Sequence, residues 1–198
     1  VPDIGYHYAP MDYAVGGRNL INGTVRMTDG VILGVFGPSG IRMGAGAVFE
    51  STGSASSPNR VLHYSQVQEQ TASAWASPTG DQGLLELSGL RVGSVPEVRW
   101  VFTEATMPNG PGHRRQWIRQ SSASAVVLRT THSQLRGLTL GMTGNWPGGA
   151  LALTNTLFED IELRLSQSAA GGFHPVGFRA FNNFFRGGML ALTNSRVD

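Results

Sequence analysis

The segment GALALTN at residues 149–155 recurs almost unchanged as GMLALTN at residues 188–194, and this repetition predicts a repeat fold. Its Leu-x-Leu unit suits a β-strand, because alternate side chains of a strand point to the same face. Such units begin at residues 138, 151, 163 and 190, with a weaker Phe-Arg-Ala unit at residue 178. Self-similarity at intervals of roughly 20 to 45 residues is typical of solenoids.

Two further alignments set the period of the repeat. Residues 155–158 (NTLF) match residues 182–185 (NNFF) at an offset of 27 residues, which places Leu163 on Leu190. The unit at Leu138 precedes the unit at Leu163 by a slightly shorter interval, and this second alignment predicts that these two leucines stack. A unit that returns at such intervals stacks on itself and buries a continuous column of leucine.

Asparagine marks the predicted corners. Asn155, Asn182 and Asn194 lie just past or between the strands. Asparagine tolerates the left-handed backbone of a sharp corner, and stacked asparagines can form a hydrogen-bonded ladder. A β-propeller is the main rival fold, but its blades need roughly 40 to 50 residues, which the shorter period disfavours. A β-sandwich accounts for the strands but not for the repeat.

The rest of the chain also favours short strands. Charged residues make up only 14% of the sequence and glycine contributes 27 residues, a composition that suits many turns. Apolar or alternating pieces occur at residues 24–27, 31–33, 41–43 and 47–49. We interpret the GPSG segment at residues 37–40 as a turn between two of them. The best helical window, residues 58–70, has no apolar stripe of helical period.

Several classes of function are excluded by missing residue types. All fifteen basic residues are arginine, so Schiff-base and P-loop lysines are ruled out. The chain has no cysteine, which excludes disulfides, thiolate catalysis and zinc–thiolate sites. The arginines are scattered, so we expect no nucleic-acid partner. No run of roughly 18 apolar residues exists, so we expect no membrane insertion.

The coil pattern, Asn-x-[Leu/Phe]-Phe followed by Leu-x-Leu-[Thr/Ser]-[Asn/Gln], resembles right-handed parallel β-helix proteins of the pectate-lyase-like class. It also looks like the coils of large secreted or surface proteins from Verrucomicrobia- and Planctomycetes-type bacteria. Residues 3–8 with Asp12-Tyr13 look like a junction in such proteins. The resemblance implies an all-β, right-handed parallel β-helix and an extracellular or cell-surface location. It brings no motif of the catalytic residues of pectate lyases, polygalacturonases or tailspikes.

We predict one domain, with an N-terminal lead at residues 1–15 and β-helix coils over residues 16–198. Solenoid repeats of the usual size give about five to seven coils, with a loop excursion at residues 66–83. The chain stops at Asp198 after a coil-like strand. Solenoid ends need caps, so we expect a larger parent chain or end-to-end self-association. The predicted interior anchors are Val25, Leu33, Ile41, Val48, Leu138, Leu151, Leu163 and Leu190.

The first candidate site flanks the loop at residues 107–112. Loops carry function more often than the elements that they connect, and histidine beside arginine suits acid–base chemistry on an acidic sugar. This predicts Glu104, His113 and Arg114 as candidate catalytic residues and Arg115 as a ligand-binding residue. The alternative is a polar loop whose arginines pair with Glu104.

Two other candidates stand in the second half of the chain. Glu159, Asp160 and Glu162 form the densest acidic cluster; such carboxylates can bind calcium or serve glycoside hydrolysis. The alternative is a solvated corner, and we expect no other metal or cofactor. Trp146, in a glycine-rich loop, is a candidate for stacking on a sugar, whereas Trp100 is expected in the core.

Three functions remain open. The scarcity of acidic residues favours a non-catalytic surface module, either a spacer or a polysaccharide-binding adhesion element. The second is a polysaccharide lyase or glycoside hydrolase, which would need carboxylates or arginines that converge in a groove. The third is a structural subunit that stacks end to end, which a concentration-dependent size distribution would reveal.

Overall fold

The computed structural model describes residues 11–64, 83–87, 94–107, 116–120, 126–143, 149–166 and 177–193. Within these ranges the regular structure consists of β-strands. The strands are β1 (Tyr13–Leu20), β2 (Thr24–Met27), β3 (Ile32–Met43), β4 (Val48–Thr52), β5 (Asn59–His63), β6 (Gly83–Leu87), β7 (Glu97–Val101), β8 (Thr103–Thr106), β9 (Gln116–Gln120), β10 (Val127–Thr131), β11 (Gln134–Arg136), β12 (Thr139–Thr143), β13 (Ala150–Thr154), β14 (Leu157–Glu159), β15 (Glu162–Ser166), β16 (Gly177–Phe181), β17 (Phe184–Arg186) and β18 (Met189–Thr193).

The strands form two parallel sheets. A six-stranded sheet has the order β2-β4-β7-β10-β13-β16. A twelve-stranded sheet has the order β17-β14-β11-β8-β5-β3-β6-β9-β12-β15-β18, with β1 beside β3. From β4 onward, each strand pairs in parallel with the strand three places later in the chain. The predicted all-β fold with parallel sheets is therefore confirmed for the described residues, and three consecutive strands make one repeat.

The GPSG segment is not a simple turn between two strands. β3 runs through it as one strand of 12 residues, while the parallel partner β1 shifts register between Gly16 and Arg18. Gly37 and Gly40 take positive φ angles of 74° and 53° at this bend. Glycine adopts this backbone without a side-chain clash, so the segment bends and pairing continues on either side.

The interior is a set of stacked apolar columns. Most predicted anchors are buried, but Val48 faces outward and its neighbour Phe49 occupies the interior. Val48 was therefore a wrong assignment, since a one-residue change along a strand reverses the face. Leu190 lies in the expected column but is 46% exposed, because β18 is an edge strand of its sheet. Trp100 is fully buried, as predicted, between Phe49 and Trp117, with ring centroids 5.8 Å and 5.1 Å away.

One register differs from the predicted alignment. The alignment of Leu163 with Leu190 is confirmed, since the two residues pair across β15 and β18. The alignment of Leu138 with Leu163 is wrong, because Leu140 is the residue that pairs with Leu163. A slip of two residues leaves every side chain on the same face, so the alternating pattern alone does not exclude it. Leu138 is buried at the preceding corner, level with Ile161.

Buried polar side chains form a column beside one corner of the repeat. Ser51 Oγ lies 2.8 Å from Thr103 Oγ1, and Asn59 Nδ2 donates to Ser51 Oγ at 3.0 Å. Thr130 and Thr156 repeat the arrangement, with their hydroxyl oxygens 3.0 Å apart. Because buried hydroxyls and amides are costly without partners, these pairs tie successive repeats together where the chain turns.

The domain boundaries are only partly covered by the described residues. Residues 1–10 and 65–82 lie outside them, so the N-terminal lead and the excursion at residues 66–83 stay predictions. β1 begins at Tyr13, and Gly83 begins β6. The first part of the helical window at residues 58–70 is strand β5.

Candidate functional site

The candidate site lies at the corner that follows each strand of the six-stranded sheet. In four successive repeats this corner is occupied by Phe102, His132, Asn155 and Asn182, with φ angles between 46° and 50°. The backbone N–H of each of the first three donates to the strand end of the next repeat, at 3.0 to 3.1 Å. The left-handed backbone that was predicted for Asn155 and Asn182 is thus confirmed, and the same conformation extends to Phe102 and His132.

The corner side chains form a ladder. The ring of Phe102 stacks on the imidazole of His132 with centroids 4.9 Å apart and planes at 11°. Asn155 Nδ2 lies 2.9 Å from His132 Nε2, and Asn182 Nδ2 donates to Asn155 Oδ1 at 2.6 Å. Since Asn155 Oδ1 accepts from Asn182, its amide group donates to His132. Nε2 of His132 is then the acceptor of this hydrogen bond.

A pocket of about 270 Å³ opens beside the aromatic end of this ladder. The stacked rings of Phe102 and His132 line this pocket together with two polar side chains, Glu104 and Gln134. Those two residues occupy equivalent positions on the neighbouring strands β8 and β11. The remaining lining residues are Ser54, Ala55, Pro58 and Thr103.

Glu104 is the predicted catalytic residue that the structure places in this pocket. Its Oε2 accepts from Arg60 Nε at 3.0 Å, and its side chain is 32% exposed. Arg60 is level with Glu104 on the adjacent strand β5. The carboxylate is therefore held by an arginine that precedes it by one repeat. The other residues of that predicted site, His113, Arg114 and Arg115, lie outside the described residues, as does Trp146.

The predicted acidic cluster is divided among ion pairs and a corner. Glu159 lies between two arginines, 2.9 Å from Arg136 Nε and 3.4 Å from Arg186 Nη1. Glu162 pairs with Arg164 on its own strand. Asp160 takes a φ of 52° at a corner. In the part of the chain that the structure describes, no three histidine, cysteine or acidic residues are grouped to hold a metal ion.

Ion pairing extends to every glutamate whose side chain is described. Glu50, Glu86, Glu97, Glu104, Glu159 and Glu162 each lie within 4.0 Å of an arginine nitrogen. Glu97 has two such partners, Arg99 at 2.5 Å and Arg129 at 3.1 Å. The hydrogen bond from Arg99 is the main cause that lowers the pKa of Glu97 below its ordinary value of 4.5, and Arg129 adds to it.

Phe102, His132 and Gln134 were not among the predicted site residues. A signal for them exists, because residues 98–104 (VRWVFTE) align with residues 128–134 (LRTTHSQ) of the following repeat. This alignment matches Phe102 with His132 and Glu104 with Gln134, and the strand register of the structure gives the same matches. It is weak in sequence terms, since only the arginine is identical.

No family model, no curated protein and no solved structure matches the chain. Among the described residues, no helix has the length and apolar character to cross a membrane.

Proposed function

We propose that this chain is a right-handed parallel β-helix that serves as a non-catalytic module outside the cell or on its surface, where it binds polysaccharide. The three-strand repeat supports the β-helix, since strands that pair three places apart are what successive three-sided coils would produce. Right-handedness follows the general preference of parallel crossovers. The location rests on the resemblance of the coil pattern.

The ion pairing of the glutamates is the observation that carries the non-catalytic assignment. A carboxyl group that acts as a general acid near neutral pH needs a raised pKa, which burial or a nearby carboxylate provides. An arginine partner acts in the opposite direction, because it favours the charged form. Glu104, the acidic residue of the pocket, lies 3.0 Å from Arg60 Nε, so its carboxylate is already engaged in an ion pair.

The pocket has the features that sugar recognition uses. Phe102 and His132 offer aromatic surface, and Glu104 with Gln134 offers hydrogen-bonding groups at equivalent heights on adjacent strands. Sugars present apolar C–H faces and hydroxyl edges, which such a combination complements. An open pocket on a rigid corner suits a segment of a longer chain that passes through it.

The test is binding and turnover of neutral polysaccharides, with galactomannan, xylan and dextran as probes. We expect retardation of the protein in affinity gels with at least one probe and no release of reducing ends. Gln134→Ala removes a hydrogen-bonding group, and its binding should fall by about threefold to tenfold. Phe102→Asn removes the ring, while asparagine tolerates the left-handed backbone of the corner. Binding by this variant should fall at least as far.

The matched control is Phe184→Ala, which deletes an aromatic ring that is 65% exposed in the last repeat. It should bind as the unaltered protein does. An equal loss for Phe184→Ala, or no loss for either pocket variant, would place binding elsewhere. Circular dichroism of each variant establishes that the fold is intact.

A carbohydrate-active enzyme is the second candidate, and one observation favours it. Glu104 and His132 line the same pocket, so a carboxylate and an imidazole share one space. Release of reducing ends or of unsaturated sugars that is lost in both Glu104→Gln and His132→Asn would replace the non-catalytic assignment with this one.

A further inference from the structure

A row of arginines crosses the outer face of the six-stranded sheet. The parallel register aligns one outward position of each strand, from β2 to β16. Four of these six positions are arginine, and the other two are glutamate and alanine. In spatial order the row is Arg26, Glu50, Arg99, Arg129, Ala152 and Arg179.

Glutamates of the same face orient the first three arginines. Arg26 Nε donates to Glu50 at 2.9 Å, Arg129 Nε donates to Glu97 at 3.1 Å, and Arg99 Nη2 donates to Glu97 at 2.5 Å. The arginine side chains nevertheless stay 49% to 67% exposed. When the Nε atom of a guanidinium is bound to a glutamate, its two terminal nitrogens keep donors for another partner.

The outward positions that flank the row are uncharged apart from Glu97. The neighbouring outward residues of β10 and β13 are small or aliphatic: Val127, Thr131, Ala150 and Thr154. Because these side chains are short, the arginine side chains can project further from the central strands than their neighbours do. The four arginines and the two glutamates leave two positive charges, so the face attracts anions although part of its charge is compensated.

We propose that this row binds a linear acidic polysaccharide, which lies across the strands with its carboxylate or sulfate groups on successive guanidiniums. Strands in a sheet are about 4.8 Å apart, so the row offers cations at one- and two-strand intervals. A guanidinium group matches the paired oxygens of carboxylate and sulfate. Because the glutamates already orient the arginine side chains, less conformational entropy is lost on binding. Single-stranded nucleic acid fits less well, because the central outward positions lack aromatic rings for base stacking.

This inference deepens the proposed polysaccharide binding by adding a second surface and a ligand class, and it is tested with different probes. Polygalacturonate and chondroitin sulfate are titrated calorimetrically into the protein at low and moderate salt. The row variant is Arg99→Gln/Arg129→Gln/Arg179→Gln. The charge-matched control is Arg136→Gln/Arg164→Gln/Arg186→Gln, which removes three arginines from the other sheet.

We expect the row variant to lose at least about tenfold in affinity for an acidic probe, since charge-assisted hydrogen bonds are stronger than neutral ones. The control should change by less than about threefold, and added salt should weaken binding to the unaltered protein. Equal losses in both variants, or no binding of either acidic probe, would overturn the proposal. Tighter binding of an oligo-dT strand with the same sensitivity would replace the polysaccharide by nucleic acid. Binding of neutral glycans without acidic ones would refute the row and leave the pocket intact.

Discussion

At the scale of single residues, left-handed backbone sets the corners of the repeat. Asparagine, aspartate, histidine and glycine account for all but one of these positions in the described residues, and their smaller penalty for positive φ explains the preference. Phe102 is the exception, because a bulky residue rarely takes a φ of 46°. Its ring lies on His132, so stacking offsets part of the backbone strain.

Gly40 and Gly37 provide a matched pair at the bend of β3. Both have positive φ, but a Cβ atom on Gly40 would overlap the carbonyl oxygen of Leu84, whereas one on Gly37 meets nothing within 4 Å. We expect Gly37→Ala to lower the free energy of unfolding by about 1 kcal/mol, from the backbone alone. Gly40→Ala should lose about 3 kcal/mol or more, because the neighbouring strand must also shift. Urea denaturation measures both, and equal losses would contradict the close approach at β6.

The asparagine ladder separates backbone strain from hydrogen bonding. Asn155→Gly keeps the left-handed corner and removes both side-chain hydrogen bonds, so we expect a loss of about 1 kcal/mol in the free energy of unfolding. Asn155→Ala removes the same bonds and adds the cost of positive φ, for a loss of about 2 to 3 kcal/mol. Thermal and urea unfolding would measure the difference. Identical stability of the two variants would mean that the corner relaxes without cost.

At the scale of the strands, most ion pairs between described residues join neighbouring strands, while Glu97–Arg99 and Glu162–Arg164 lie within one strand. Arg60 is 44 residues from Glu104, and the register sets the two residues directly opposite each other. Arg129 is 32 residues from Glu97 and lies diagonally across from it, since Glu97 is opposite Val127. Exposed pairs contribute little singly, but a glutamate shared by two arginines belongs to a network.

Glu97 gives this network a pH signature. Its pKa is lowered in the folded protein from the ordinary 4.5, so the stabilisation is present above pH 4.5. It is lost as pH falls through the lower folded-state pKa. We expect Glu97→Gln to reduce the free energy of unfolding by about 0.5 to 1 kcal/mol at pH 7, with the difference shrinking as the pH falls below 4.5.

Urea denaturation of both proteins across this pH range tests the linkage. About 1 M salt should shrink the difference at pH 7, because it screens partly exposed charges. A difference that does not shrink as the pH falls below 4.5 would show that the loss comes from packing of the side chain and not from its charge.

At the scale of the whole molecule, each repeat is stabilised by its neighbours in the sheets. Central strands pair on both sides, whereas β16, β17 and β18 end the sheet orders of the described residues. The consequence is visible in exposure: Leu128 is fully buried in β10, but Leu190 is 46% exposed in β18. Stability in stacked repeats is approximately a sum over neighbouring interfaces, so it should decline toward this edge.

A pair of leucine truncations measures that decline. Leu128→Ala should lower the free energy of unfolding by about 2 to 5 kcal/mol, as for buried leucines in general. Leu190→Ala should lower the free energy of unfolding by about 1 kcal/mol or less, because its partly exposed side chain buries less apolar surface. Hydrogen exchange read strand by strand should show β10 protected well beyond β18. Equal protection would indicate that the last repeat is covered by another partner in solution.

The candidate site was predictable only in part. Glu104 was singled out because it precedes a loop, and it does line the pocket. Its neighbours Phe102, His132 and Gln134 were missed, because they are brought together by pairing between successive repeats and share no chemical motif. The acidic cluster at residues 159–162 resembles a set of metal ligands when only the sequence is considered. In the structure, alternation along the strand and the corner at Asp160 give these residues different partners.

The amino-acid pattern by itself determined the strands, the parallel stacking, the asparagine corner and the burial of most anchors, since these depend on local alternation and on a repeat of similar length. Tertiary structure alone decided the register between Leu140 and Leu163 and the partner of each glutamate. A two-residue slip preserves the buried face, and the connections vary in length: the paired positions Val48 and Glu97 are more than twice as far apart along the chain as Val127 and Ala150. Which residues meet on the outer surface follows from that register, and only the folded chain sets it.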